Sequence, residues 1–220
     1  MDIVLVLTAA FLAYILGSLN FAVIFSKLFA HKDVREFGSG NAGMTNVLRV
    51  FGILPGILTF VFDVLKGLLA CYIGKFVIFE YLSTNFPSND LYLPVYGAYI
   101  CGLFCMLGHV FPVFFQFKGG KAVAVSVGIF YIAHWQAITI ALIVFVALLL
   151  ITRIISISSL AATTTVFIVS VIIPPLEGNH LIVLLITFIM CLIVFVKHKD
   201  NIVRLLKGQE KPIFGKKGEK

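Results

Sequence analysis

Apolar runs of about 20 residues follow one another along this chain, the length an α-helix needs to cross the ~30 Å hydrocarbon core of a bilayer. No other feature narrows the fold as much. In hydrocarbon every backbone N–H and C=O must be bonded internally, which leaves only helices or a closed barrel. Barrel strands alternate apolar and polar side chains, whereas these runs are continuous. The sequence therefore predicts an all-α, polytopic membrane protein. Charged residues make up 12% of the chain and hydrophobic ones 60%. That is about half the charge fraction of a soluble domain.

We read about seven spans, at residues 3–27, 51–74, 92–111, 122–134, 136–152, 154–175 and 181–197. The fourth is short, and a count of five or six is the competing reading. One domain covers residues 1–220, with a basic tail at 197–220. The first run is not a cleavable signal: it follows Met1-Asp2 rather than a basic stretch, and it exceeds the length of a signal core. Assigning the loops 28–50, 112–121 and 152–153 and the tail to one face, with the span-end Lys27, gathers there every Lys and Arg except Lys66 and Lys75. Glu80, Asp90 and Glu177 fall on the other face. The positive-inside rule makes the basic face cytoplasmic, with the N-terminus outside and the C-terminus inside. The net charge of +7 then reflects topology and contact with anionic headgroups rather than nucleic-acid binding. Cys71, Cys101, Cys105 and Cys191 sit inside apolar runs and read as small buried hydrophobes, not disulfides. His134-Trp135 reads as part of an interfacial belt on the outer side. The sequence fixes no oligomeric state.

Three polar segments interrupt the oily background on the basic face. The first is Gly38-Ser39-Gly40-Asn41-Ala42-Gly43-Met44-Thr45-Asn46, followed by Arg49. Its glycines free the backbone to turn and bare N–H groups, and its hydroxyls, amides and guanidinium suit an oxyanion. A helix starting near Asn41 would put Asn46 and Arg49 on one face. A flexible, side-chain-capped loop is the other reading. The Gly-Lys-Ser/Thr ending of a Walker loop is missing. In the second segment, Gly108-His109-Val110-Phe111-Pro112 leads to Phe117-Lys118-Gly119-Gly120-Lys121. Two glycines between two lysines offer bare N–H groups beside two ammonium groups; lysines snorkelling to headgroups are the alternative. The third runs from Lys197 to Glu210, and a helix there places His198 and Asn201 on one face, with Arg204 a turn further on. A basic interfacial helix would contact lipid, yet lipid contact does not need a histidine and an asparagine.

Asp63 and Lys66, three apart inside the second span, fit either a functional site or a structural ion pair, since a charge inside a membrane is expensive. Arg153, Ser156 and Ser159 open the sixth span as secondary anion or hydroxyl contacts. The histidines are scattered with no metal-ligand set, and no Gly-x-Ser-x-Gly elbow occurs.

Read in order, GSGNAGMTNVLR, GHVFPVFFQFKGGKAVA and HKDNIVRLLKGQE, with FDVLKG and TRIISISS between them, resemble the bacterial acyl-phosphate:glycerol-3-phosphate acyltransferases, the PlsY family. Ala122 stands where that family commonly has glycine, and Lys197 and Lys199 flank His198 where arginines are usual. The His-x4-Asp motif of soluble-donor acyltransferases is absent: His31, His109 and His198 are followed at that spacing by Glu36, Phe114 and Val203.

The resemblance implies transfer of a fatty acyl group from acyl phosphate to the sn-1 hydroxyl of glycerol 3-phosphate, giving 1-acyl-glycerol 3-phosphate and phosphate. It implies a multi-pass enzyme of the bacterial inner membrane whose site faces the cytoplasm, with no metal or cofactor. On this expectation Ser39, Arg49, Lys121, His198 and Asn201 carry the chemistry. Gly38, Gly40, Asn41, Gly43, Thr45, Asn46, His109, Lys118, Gly119, Gly120, Ser156 and Arg204 bind substrate, with Gly119 and Gly120 offering N–H donors. Asp63, Lys66, Arg153 and Glu210 support them. An anion transporter or channel is the alternative, although no internal repeat is visible and the polar clusters share one face.

Overall fold

The computed structural model describes residues 2–175 and 178–213. Met1 at the head of the first run, and Glu177, Lys216, Lys217 and Lys220 of the charge pattern, lie outside the described residues. Eleven α-helices and no strand are present among the described residues. They are α1 (Asp2–Gly17), α2 (Phe21–Ala30), α3 (Met44–Phe51), α4 (Ile53–Ile73), α5 (Glu80–Asn85), α6 (Pro94–Val110), α7 (Val123–Ala133), α8 (Trp135–Thr152), α9 (Ile155–Ile172), α10 (His180–Lys197) and α11 (Lys199–Leu206).

Among the described residues six stretches are long and apolar enough to cross a membrane: Ile3–Ala30, Ile53–Asn85, Pro94–Phe115, Trp135–Thr152, Ile155–Ile172 and His180–Lys197. The first expected span is interrupted, because Asn20 accepts a hydrogen bond from Val23 N–H at 3.2 Å and starts α2 afresh. The second continues past α4 through a π-helical turn, Gly74–Phe79, into α5. The fourth, α7, has 11 residues, about 16 Å of helix, well short of membrane length. It nevertheless runs between the two ends of the bundle. Ala122 begins it near the polar cluster described below, and His134, just past it, lies 2.7 Å from the Ile173 carbonyl at the far end of α9. His134 is not part of an interfacial belt. It is buried, and its Nδ1 accepts from Ala137 N–H at 3.3 Å to cap α8, while Trp135 is exposed.

The core forms around α6, whose Tyr99, Met106 and Val110 are fully buried. Helices α1, α4, α7 and α10 pack against it, and α8 and α9 pair beside them. All four cysteines are buried free thiols. Large apolar side chains such as Leu150, Ile151 and Leu181 face outward; such a surface suits lipid and would aggregate in water. A smaller cluster of Ala22, Val23, Val34, Ala42 and Val47 seats the glycine segment and α3 on α2.

Candidate active site

The three polar segments, more than a hundred residues apart at the extremes, line one cavity of about 490 Å³. Its wall includes Gly38, Ser39, Asn41, Gly43, Thr45, Asn46 and Arg49 from the first, His109 and Lys121 from the second, and His198, Asn201, Arg204 and Glu210 from the third. Asp63, Ser156 and Ser159 contribute from α4 and α9. Gly40, Lys118, Gly119, Gly120, Lys66 and Arg153 are not among the lining residues.

In the first segment the chain leaves a short turn at Val34–Glu36 and reaches Gly38 with φ +61°, a conformation that favours glycine. A methyl group there would also collide with the Asn46 side-chain oxygen. That oxygen accepts Ser39 N–H at 3.0 Å, and the Asn46 amide nitrogen donates to the Val34 and Phe37 carbonyls at 3.1 and 2.9 Å. Asn46 is thus buried and committed to shaping the loop; it lies three residues before Arg49 on α3 and both border the cavity, but its amide is not free for a ligand. Its neighbours Ser39, Asn41 and Thr45 keep their side chains at the cavity. Arg49 is exposed on α3 and its side chain makes no hydrogen bond to the described residues, which leaves its five guanidinium donors for a ligand.

The second segment departs from expectation at its glycines. Gly120 N–H does not face the cavity; it donates to the His109 carbonyl at 3.1 Å. Added Cβ atoms at Gly119 and Gly120 would run into the His109 carbonyl and the His109 ring. The pair is needed so that the loop can lie flat against the end of α6. Lys118 is exposed. Lys121 follows directly, and its Nζ donates to Asn201 Oδ1. Burial holds the Lys121 ammonium below the usual lysine range, the mark of a cation kept partly out of water. Ala122 has φ +65°. A side chain in that region costs of order 1 kcal/mol, which explains why glycine is the easier residue there.

The third segment turns from α10 into α11 at His198. The His198 Nδ1 lies 2.8 Å from the Val194 carbonyl. A carbonyl only accepts, so Nδ1 carries the proton. Burial pushes the imidazolium pKa down to about 4, so the ring is neutral at physiological pH and Nε2 is left as an acceptor. Asn201 donates to Glu210 Oε1 at 2.5 Å, Ser156 Oγ donates to the same oxygen at 2.9 Å, and Arg204 Nε donates to Oε2 at 2.6 Å. Burial alone would raise the Glu210 pKa, but these three bonds outweigh it and hold the carboxyl below its usual range. Glu210 therefore ties α9, α11 and the returning chain into one bracket, reinforced by Ile213 N–H on the Arg153 carbonyl at 2.8 Å. The contribution of Arg153 is thus its backbone.

Beneath the cavity Lys66 Nζ lies 2.8 Å from Asp63 Oδ1 and donates to the Leu19 carbonyl at 2.7 Å, in the break between α1 and α2. His109 Nδ1 is 3.5 Å from the same Asp63 oxygen. These three residues are 3% exposed or less. Gln209, Lys211, Ile213, Phe60 and Phe145 also line the cavity, although the sequence carries no anion-binding signal at them. A second, apolar cleft of about 100 Å³ adjoins it, sharing Phe60, Val123, Phe145 and Ser159 and running on to Phe130, Ile138 and Met190.

Comparison with known proteins bears on this geometry. A family model described as glycerol-3-phosphate acyltransferase matches residues 7–208. The chain is 39% identical to glycerol-3-phosphate acyltransferase 2 of Bacillus anthracis over 92% of its own length and 96% of that protein's. It is 35% identical to glycerol-3-phosphate acyltransferase of Macrococcus caseolyticus over 94% and 96% of the two chains. Among solved structures it matches the glycerol 3-phosphate form of PlsY (YgiH), an integral membrane glycerol 3-phosphate acyltransferase, with a TM-score of 0.80, 31% identity and 96% of both chains covered. The lysophosphatidic acid form of that protein matches with a TM-score of 0.77 and 30% identity.

Proposed function

The chain belongs to the glycerol-3-phosphate acyltransferase family, and on that premise we propose that it takes its acyl group from acyl phosphate and places it on the sn-1 hydroxyl. It is an integral membrane acyltransferase acting on glycerol 3-phosphate. The observation that carries the donor assignment is the cavity itself. Arg49, Lys121 and Lys211 border it, as does Arg204 in its pair with Glu210; three cations with no carboxylate partner among the described residues suit two phosphate-bearing reactants held side by side. The apolar cleft that adjoins it suits the acyl tail.

Acyl phosphate is a mixed anhydride with a good leaving group, so positioning and charge neutralisation suffice for much of the rate. The glycerol hydroxyl attacks the acyl carbonyl carbon, the C–O bond to phosphate breaks, and inorganic phosphate leaves. On this reading Ser39, Arg49 and Lys121 hold phosphate oxygens, while His198 Nε2 and the Asn201 amide orient the hydroxyl and carbonyl. His198, with a pKa of about 4, is a weak base at neutral pH. The phosphate expelled from a dianionic acyl phosphate would carry three negative charges unless it took up a proton, so it is the better acceptor and the hydroxyl proton departs with it as HPO4 2−.

The test is purified protein mixed with palmitoyl phosphate and glycerol 3-phosphate. Release of 1-palmitoyl-glycerol 3-phosphate and phosphate in equal amounts is the expected result. Product formed instead from palmitoyl-CoA or palmitoylated carrier protein would overturn the donor assignment.

We further propose an inner-membrane location with the cavity on the cytoplasmic side. In this arrangement α7 is the short seventh crossing. Support comes from exposed Lys27, Lys32, Lys118, Lys199 and Lys207, which belong to the segments around the cavity. In spheroplasts, a Lys207→Cys variant should react with a membrane-impermeant maleimide only after permeabilisation. Labelling of intact cells would reverse the orientation.

A further inference from the structure

We propose that Arg35, with Asp33, is a positioning residue that acts through the Lys118–Lys121 loop to set Lys121 in the cavity. This rests on the assignment of Lys121 to phosphate binding made above. Arg35 lies outside the cavity wall, yet all three of its guanidinium nitrogens are engaged. Its Nε and Nη2 donate to the two Asp33 oxygens at 3.0 and 2.8 Å, and its Nη1 donates to the Phe115 carbonyl at 2.8 Å. The Lys118 carbonyl is 3.5 Å away on the same Nη1. The Arg35 bond with Asp33 holds that carboxyl below its usual range and raises the guanidinium, as a charge-assisted fork should.

The contact spans eighty residues of sequence and meets the chain where it is most strained. Gln116 and Phe117 both have φ +58°, a conformation that side chains avoid and that persists only when the surroundings impose it. The Arg35 bond fixes the carbonyl immediately before this pair. On the other side of the loop, Phe117 N–H donates to the Pro112 carbonyl at 2.9 Å and Gly120 N–H to the His109 carbonyl at 3.1 Å. The loop is therefore clamped from the glycine-segment side by Arg35 and from the α6 side by His109, and Lys121 is the next residue after the second clamp. Releasing the Arg35 clamp lets the strained pair relax and the Lys121 ammonium wander, so ordering it again falls on substrate binding. Arg35 touches no reacting atom in this account. Its effect belongs in KM.

The experiment is steady-state kinetics on full-length Arg35→Met and Arg35→Lys, with KM measured for glycerol 3-phosphate and for palmitoyl phosphate, beside Lys121→Arg and Lys121→Ala. Arg35→Met should raise KM about tenfold, the equivalent of one charge-assisted hydrogen bond. The rise should fall on the same substrate whose KM Lys121→Arg raises, with kcat within threefold and the thermal midpoint in detergent unchanged. Lysine cannot make the fork, so Arg35→Lys should show most of the same rise. In the Lys121→Arg background Arg35→Met should add less than threefold, because both changes act on one group. Wild-type KM in Arg35→Met, with Lys121→Ala crippled, sinks this inference alone. Near-normal Lys121→Ala sinks the Lys121 assignment on which it rests. A lower midpoint with kcat and KM worsening together makes Arg35 a scaffold residue and also overturns it. If Arg35→Met does not fold, Asp33→Asn decides: about a threefold rise is expected, and wild-type KM counts against the clamp.

Discussion

Lys121→Ala lowers kcat/KM by about 10²–10³-fold, the range seen when one preorganised electrostatic donor is removed from an active site. The protein should stay folded and monodisperse in detergent. Lys121 is the one cation of the cavity that is tied into the third segment through Asn201 and held below the usual lysine range by burial. A charge kept partly out of water interacts more strongly with a phosphate than a solvated one does. Removing it leaves Asn201 Oδ1 without that donor, a loss of about 1–3 kcal/mol if the oxygen stayed dry. The site borders an open cavity, so water replaces the bond and the fold survives. Arg49→Ala should be nearly as damaging to turnover and milder still for stability, because Arg49 is exposed and unbonded to the described residues. Steady-state rates and thermal midpoints of the two variants check both statements. Activity within threefold of wild type in either would remove that residue from the site.

The sequence carried the membrane class plainly, because twenty-residue apolar runs have few other uses. It also carried the three segments, since glycine beside fixed charge stands out against an oily background. Three kinds of information were not there. The first is where a helix stops inside an apolar run: the break at Ser18-Leu19-Asn20 turns on one asparagine cap. Lipid-facing and core-facing positions are equally apolar, so periodicity does not mark the boundaries. The second is whether a polar group is free. Asn46 and Gly120 N–H look available for a ligand in the sequence, yet both are engaged by backbone partners. Buried polar groups find partners as a rule, and which partner depends on the folded path. The third is a long-range contact of an ordinary-looking residue. Arg35 sits in a run of charges that reads as a solvated loop, and its carbonyl partner is eighty residues away. Glu210 belongs to the same class. The sequence marks it as a supporting residue at the end of the third segment, but its bonds to Asn201, Arg204 and Ser156, which make it the bracket of that segment, show only in the fold.

Lys66→Met should be the most destabilising single change in the molecule, at about 3–5 kcal/mol, the range for breaking a buried pair from one side. The Lys66 ammonium meets Asp63 at 2.8 Å and the Leu19 carbonyl at 2.7 Å, and it lies 5.4 Å from the centre of the Phe21 ring. Three helices, α1, α2 and α4, converge on that one charge. Without it, the nearest side-chain nitrogen to Asp63 is His109 Nδ1 at 3.5 Å, and the Leu19 carbonyl loses its donor at the point where the α1–α2 chain is broken. An isolated charge at membrane depth is itself worth about 2.5–3.5 kcal/mol on insertion scales, which agrees in size. The double variant Asp63→Asn/Lys66→Met removes both charges and should recover most of the loss, because replacing a whole buried pair is often close to neutral. If the pair is instead part of the chemistry, stability will return in the double variant while activity stays lost. If its role is to hold the helices, both will return together. Equilibrium unfolding in mixed micelles, run beside the acyl-transfer assay, separates these outcomes. A single Lys66→Met variant as stable as wild type would mean that Asp63 is neutral in the folded protein and that the three helices are joined by packing alone.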